Sequence, residues 1–247
     1  MKTHGVISVA PYVHGFSATD GLTKGYRTQF TTVTDYLRKD RFVADLKLNL
    51  TTIVVEKYNA GMGLDRIRYM LTPGVRLEYN KLILKSSLHH ECIHTIDRPE
   101  FNGSIWWNSL RFGIGSREAY NIYLRDEYRQ KNNQLLNKFD AQINLGYIIP
   151  ANRSLTSGQN HEYNYEAFAI LRHHLGVYHN WAFSSTIEPS VWLRLNSTID
   201  RRLTATLTAY RKGFSNFLGI YYSYNFIDEF DLDNENKLGS LGVRLLY

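Results

Sequence analysis

The sequence predicts an all-β fold: one antiparallel up-and-down β-barrel that crosses a membrane, with about twelve strands and about fourteen as the alternative. Three observations carry this expectation. Apolar and polar residues alternate with period two through most of the 247 residues, the pattern of strands with one apolar and one polar face. The alternating segments run about 10–14 residues, longer than a usual globular strand and long enough for a tilted strand to cross a bilayer. Aromatic residues stand at the ends of the apolar faces, where two membrane–water interfaces would place them. The chain supplies 18 Tyr, 12 Phe and 4 Trp for this purpose.

The segments follow in order. Near residue 25, Tyr26, Thr28, Phe30, Thr32, Thr34 and Tyr36 share one face, while Arg27, Gln29, Thr31, Val33 and Asp35 share the other. The next sets Phe42, Ala44, Leu46, Leu48 and Leu50 against Asp45, Lys47, Asn49 and Thr51. Then Ile67, Tyr69, Leu71, Val75, Leu77 and Tyr79 oppose Arg66, Arg68, Thr72, Arg76 and Glu78. Further on, Phe139, Ile143, Leu145 and Tyr147 oppose Asp140, Gln142 and Asn144, and Phe183, Ile187 and Val191 oppose Ser184, Thr186, Glu188 and Arg194. The last sets Leu241, Val243, Leu245 and Tyr247 against Ser240, Gly242 and Arg244. About thirteen such segments start near residues 5, 25, 41, 66, 82, 104, 119, 139, 164, 182, 202, 215 and 237. Asp20-Gly21, Asn80-Lys81 and Asn102-Gly103 are typical of the turns between them. Single-chain bacterial barrels have an even strand number, so one segment, the first or one within 120–149, does not span. About 20 residues per strand and connection gives twelve strands in a single domain, residues 1–247.

Other classes fall away on composition. The chain has no apolar run near 20 residues, which excludes helical membrane spans. A single cysteine, Cys92, excludes an internal disulfide framework and Cys-rich zinc modules. The formal net charge of +6 comes without the basic–aromatic interleaving of a nucleic-acid binder. Asp228–Asn236 is acidic but lacks the glycine of a calcium loop, and neither a metal nor a cofactor is expected. Residues 1–6 open no secretory apolar stretch, which fits either a cytoplasmic chain or a mature one.

The C-terminal Ser240-Leu-Gly242-Val-Arg-Leu245-Leu-Tyr247 resembles the terminal-strand signal of bacterial outer-membrane barrels, although those more often end in Phe. The resemblance implies a Gram-negative outer-membrane protein without its signal peptide. It would be inserted by the barrel-assembly machinery and surrounded by outer-membrane lipids and lipopolysaccharide.

Two clusters could carry chemistry. The first is His89-His90-Glu91-Cys92-Ile93-His94-Thr95-Ile96-Asp97, where His90, Cys92 and His94 share one face of a strand. Two imidazoles and a thiol suit a soft divalent metal if a fourth ligand such as His174 joins them. Alternation puts these residues with Leu82, Leu84 and Leu88, toward lipid, unless a bulge intervenes or the strand has left the bilayer. His90-x-Cys92-x-His94-x-x-Asp97 resembles the His-x-Ser-Ser-His stretch of an uncharacterised outer-membrane barrel family, with Cys92 and Ile93 in place of its serines. It also resembles the His-x-Ser of lipid A 3-O-deacylases. That likeness implies Cys92 as nucleophile, His90 as base and Glu100 or Glu91 as the residue orienting it. The second cluster is a set of inward arginines, Arg66, Arg68, Arg76, Arg111, Arg125 and Arg194, which would attract small anions if the lumen is open. The leading expectation is therefore a passive channel for small, preferentially anionic solutes. A lipid-modifying hydrolase and a soluble barrel with a hydrophobic ligand are the alternatives.

Overall fold

The computed structural model of the chain describes residues 2–15, 22–57, 61–95, 104–116, 133–149, 163–212, 217–229 and 239–246. Twelve antiparallel strands close on themselves, each hydrogen-bonded to its neighbours in sequence. They are β1 (Lys2–Gly15), β2 (Leu22–Lys39), β3 (Phe42–Lys57), β4 (Gly61–Tyr79), β5 (Leu82–Thr95) and β6 (Ser104–Ser116). The circle continues with β7 (Gln134–Ile149), β8 (Tyr163–Tyr178), β9 (Trp181–Arg194), β10 (Ile199–Lys212), β11 (Phe217–Asp228) and β12 (Gly239–Leu246). The first segment of the sequence is thus a genuine strand, and the segment near residue 119 lies outside the described residues. Twelve strands spaced about 4.8 Å and tilted about 40° enclose a cylinder of about 12 Å backbone radius.

Three tight turns lie at the end that carries Lys2 and Leu246: Asp40-Arg41, Asn80-Lys81 and His179-Asn180. Asp40 (φ 51°), Asn80 (φ 52°), His179 (φ 45°) and Asn180 (φ 66°) take the left-handed conformation that two-residue hairpins require, which Asn and Asp tolerate best. The opposite end, the loop end, joins its strands through residues 96–103, 150–162 and 230–238 and through the short turn at 195–198, while the connection from β6 to β7 (117–133) returns to the terminal end.

Among the described residues, the seam between β1 and β12 pairs Val6 with Leu246, Ile7 with Leu245, Ser8 with Arg244 and Val9 with Val243. Close packing compensates for its shortness. A Cβ on Gly242 would lie 2.5 Å from the Val9 carbonyl oxygen and 2.8 Å from the Tyr221 ring. The bare glycine lets Tyr221 lie flat on the wall, with the Arg244 guanidinium 3.8 Å above its centroid.

Burial is inverted relative to a soluble protein. Asp45, Glu91, Asp140, Glu166, His89, His174 and Asp228 are buried, while Leu71, Leu77, Leu84, Leu88, Leu110, Phe112, Ile114, Ile143 and Leu145 are exposed. A continuous apolar exterior of this extent far exceeds the few hundred Å² that a soluble monomer shows, and it fits lipid. The aromatic pairs read from the sequence bound this belt: Tyr26 with Tyr36, Tyr69 with Tyr79 and Phe139 with Tyr147 are all exposed on the outer wall.

Candidate functional site

The inner wall follows from alternation. Odd residues of β3 and β5 and even residues of β4 and β9 turn inward, and the acids among them lie flat on the wall beneath longer cations. Arg76 donates to Asp45 (2.7 Å), Asp35 (2.8 Å) and Glu78 (3.1 Å). Lys85 also holds Asp45 (2.8 Å), and Arg38 reaches Asp35 (3.2 Å) and Glu78 (2.9 Å). Arg68 pairs with Glu91, whose other oxygen meets His89 Nε2 at 3.0 Å, and His89 Nδ1 meets the Thr72 hydroxyl at 2.8 Å. Arg111 grips Glu166 together with the Ser109 hydroxyl. His174 pairs with Asp140 (2.6 Å), and Arg202 with Asp228 (2.9 Å). At the loop end the exposed Glu229 carboxyl is held below its ordinary pKa by hydrogen bonds from Arg201.

Among the described residues, inward side chains line two cavities. One of about 350 Å³ is lined by Lys47, Arg76, Lys85, Arg111, Arg172 and Arg244, with Glu188 as its lining carboxylate. The other, of about 200 Å³ toward the loop end, is lined by Arg27, Arg66, Arg68 and Arg202. Both touch Gln29, Asn49 and Met70. Of the arginines singled out in the sequence, Arg66, Arg68, Arg76 and Arg111 therefore face the lumen. Arg194 binds Asp200 (2.7 Å) and lies over the Tyr163 ring, and Arg125 is outside the described residues.

The outer wall carries the second cluster. The register of β5 with β4 and with β6 runs without a shift, so no bulge reverses its faces. His90, Cys92 and His94 consequently point outward, continuing the face of Leu84 and Leu88 into the loop-end girdle. Cross-strand partners complete the group: Asn108 and Trp106 of β6 stand opposite His90 and Cys92, and Tyr69 of β4 stands opposite Cys92 from the other side. His90 Nδ1 and Asn108 Oδ1 are 2.9 Å apart. Cys92 Sγ lies 3.1 Å from His94 Nε2, which the Tyr69 hydroxyl also approaches at 3.3 Å. The Tyr69 ring stacks on His94 with centroids 5.4 Å apart, and Cys92 is 3% exposed.

This geometry corrects two sequence assignments. Glu91 cannot orient His90, because it lies on the opposite face of β5, bound to Arg68 and His89 inside the lumen. Nor can His174 join the outer cluster as a ligand, since it is buried inside against Asp140. Glu100 lies outside the described residues. Asn108 is the partner that sequence reasoning missed. Its signal was an amide on an otherwise apolar face with Trp106, Leu110, Phe112 and Ile114, but only strand register reveals that it meets His90.

Fold and exterior together define an outer-membrane-type β-barrel that spans lipid. No family model and no curated protein matches the chain. Among solved structures, an outer membrane channel from Pseudomonas putida is similar over 99% of this chain and 94% of its own (TM-score 0.61, 13% identity). Outer membrane phospholipase A from Escherichia coli is similar over 99% and 89% (TM-score 0.57, 10% identity). An active site mutant of that enzyme, with an asparagine replaced by alanine, aligns over 100% and 90% (TM-score 0.55, 10% identity). At such identities these likenesses establish the fold.

Proposed function

We propose that this barrel is an outer-membrane hydrolase that cleaves acyl esters of membrane lipids on its outer wall. The carrying observation is the 2.9 Å contact between Asn108 and His90 on a lipid-facing surface, with a thiol two residues along the same face. An amide oxygen that accepts the Nδ1 proton fixes the tautomer in which Nε2 is a free base. Cys92 is then the nucleophile, the adjacent imidazoles move protons, and Asn108 orients His90 as a base. The level of the site suits the chemistry, since glycerolipid esters sit at the interface that Tyr69 and Trp106 mark. The similarity in fold to a phospholipase, one of whose active site mutants replaces an asparagine, supports the same reading. Outer-membrane lipids, including lipopolysaccharide, would be both solvent and substrate, and the C-terminal strand signal implies insertion by the barrel-assembly machinery.

The interior favours support over transport. Arg68, Arg76, Arg111, Arg194 and Arg202 each have an acid partner, which neutralises most of the charge that would draw a solute. A second reading, a passive path for small anions, rests on Lys47 and Arg244, which face the larger cavity outside those pairs. Mass spectrometry of total lipids from cells making the wild type, His90→Ala or Asn108→Ala tests the first reading. Lyso-lipids or deacylated lipid A should rise with the wild type alone; identical profiles would refute it. Planar-bilayer recording tests the second, and silence or cation preference would refute that one.

A further inference from the structure

Cys92 sits between two histidines on one face of β5, and they are held differently. Consecutive same-face residues of a strand are about 6.8 Å apart at Cα, so either imidazole can reach the thiol. The contact in place is with His94, whose Nε2 is 3.1 Å from Sγ. The Tyr69 hydroxyl approaches that same nitrogen at 3.3 Å. Both contacts meet at Nε2 of His94, and in the tautomer that carries its proton on Nδ1 this nitrogen accepts the Cys92 S–H. Stacking on Tyr69, at an interplanar angle of 23°, keeps the ring in place. His90 instead spends Nδ1 on Asn108, with its ring centroid 6.0 Å from that of Tyr69 and 6.4 Å from that of Trp106. It carries the fixed tautomer of a general base but is not the thiol's partner.

From this geometry we infer, resting on the hydrolase reading above, that the two histidines divide the catalytic cycle: His94 activates the thiol, and His90 with Asn108 activates the water. In the first half, the Cys92 S–H proton passes to His94 Nε2 as sulfur bonds to the ester carbonyl carbon. The carbon–oxygen bond to the alcohol breaks, and the His94 proton goes to the departing oxygen, leaving an acyl thioester on Cys92. In the second half, water gives a proton to His90 Nε2 while its oxygen bonds to the thioester carbonyl. The carbon–sulfur bond breaks, the fatty acid leaves, and the proton returns to Cys92. Ester and water are consumed, acid and alcohol are formed, and no other reagent is needed.

Intact-protein mass spectrometry of the full-length barrel in detergent, mixed with p-nitrophenyl butyrate, separates the two halves. Release of p-nitrophenol is followed alongside. With the wild type, a burst of p-nitrophenol should precede steady turnover. His90→Ala and Asn108→Ala should accumulate a butyryl adduct on Cys92 while steady turnover falls about 100-fold. In His94→Ala and His94→Gln the adduct itself should form about 100-fold more slowly. Heat-modifiable mobility on gels checks that each outward-facing variant retains a closed barrel. An adduct formed at the wild-type rate in both His94 variants, or lost in His90→Ala, overturns the division of labour alone. A wild type that neither forms the adduct nor releases acid overturns the hydrolase reading itself.

Discussion

Arg76 bridges three carboxylates of the inner wall, so its removal should destabilise the barrel. Its guanidinium is 9% exposed and donates to Asp45, which is fully buried, and to Asp35 and Glu78. Leaving a buried charge without a partner costs about 3–5 kcal/mol. Arg76→Gln stops short of that, because Lys85 still holds Asp45 and Arg38 still holds Asp35 and Glu78. Two cations then serve three carboxylates beside the larger cavity, so the expected loss is about 2–3 kcal/mol. Reversible urea unfolding in phosphatidylcholine vesicles, read by tryptophan fluorescence, measures it. Adding Lys85→Gln deprives Asp45 of both cations and should cost more than the sum of the two single changes. An Arg76→Gln barrel within about 0.5 kcal/mol of the wild type would refute the claim that these pairs support the wall. Arg201→Gln, which breaks an exposed pair at the rim, should leave the midpoint unmoved.

Gly242→Val places side-chain atoms against the Val9 carbonyl and the Tyr221 ring at the shortest seam, so the barrel should fail to close and lose heat-modifiable mobility on gels. Tyr69→Ala uncovers Cys92, now 3% exposed, and its labelling by an uncharged maleimide in vesicles should quicken at least about tenfold; an unchanged rate would mean that Tyr69 does not cover the site. Lys47→Glu places a second carboxylate beside Glu188 in the larger cavity; if the barrel conducts at all, its reversal potential should move toward cations, and an unmoved one would place the path elsewhere.

Much of the architecture is legible in the sequence because a barrel strand obeys one simple rule. Inside and outside alternate, so Arg66, Arg68 and Arg76 turn inward with Thr72 while Tyr69 and Leu71 turn outward. The same rule places His90, Cys92 and His94 on the lipid side, and the unshifted register of β5 upholds it. What the sequence withheld is pairing across strands. Asn108 follows His90 by 18 positions and meets it only because β5 and β6 align those two residues. Glu91 adjoins His90 in the chain yet faces the other way, which makes nearness in sequence a misleading guide on a strand. The same limit applies to charge. Inward arginines were visible as a set, but Arg111 with Glu166 of β8, or Arg76 with Asp45 of β3, needs the closed sheet to bring them together.

The claim at the centre of the account is that Cys92 cleaves lipid esters at the outer wall. The direct measurement is fatty-acid release from vesicles of phosphatidylethanolamine and phosphatidylglycerol holding the purified barrel, comparing the wild type with Cys92→Ala. The account predicts steady release by the wild type and release at the protein-free level by Cys92→Ala, with both barrels folded. Equal release from the two proteins, or none from either, would contradict it.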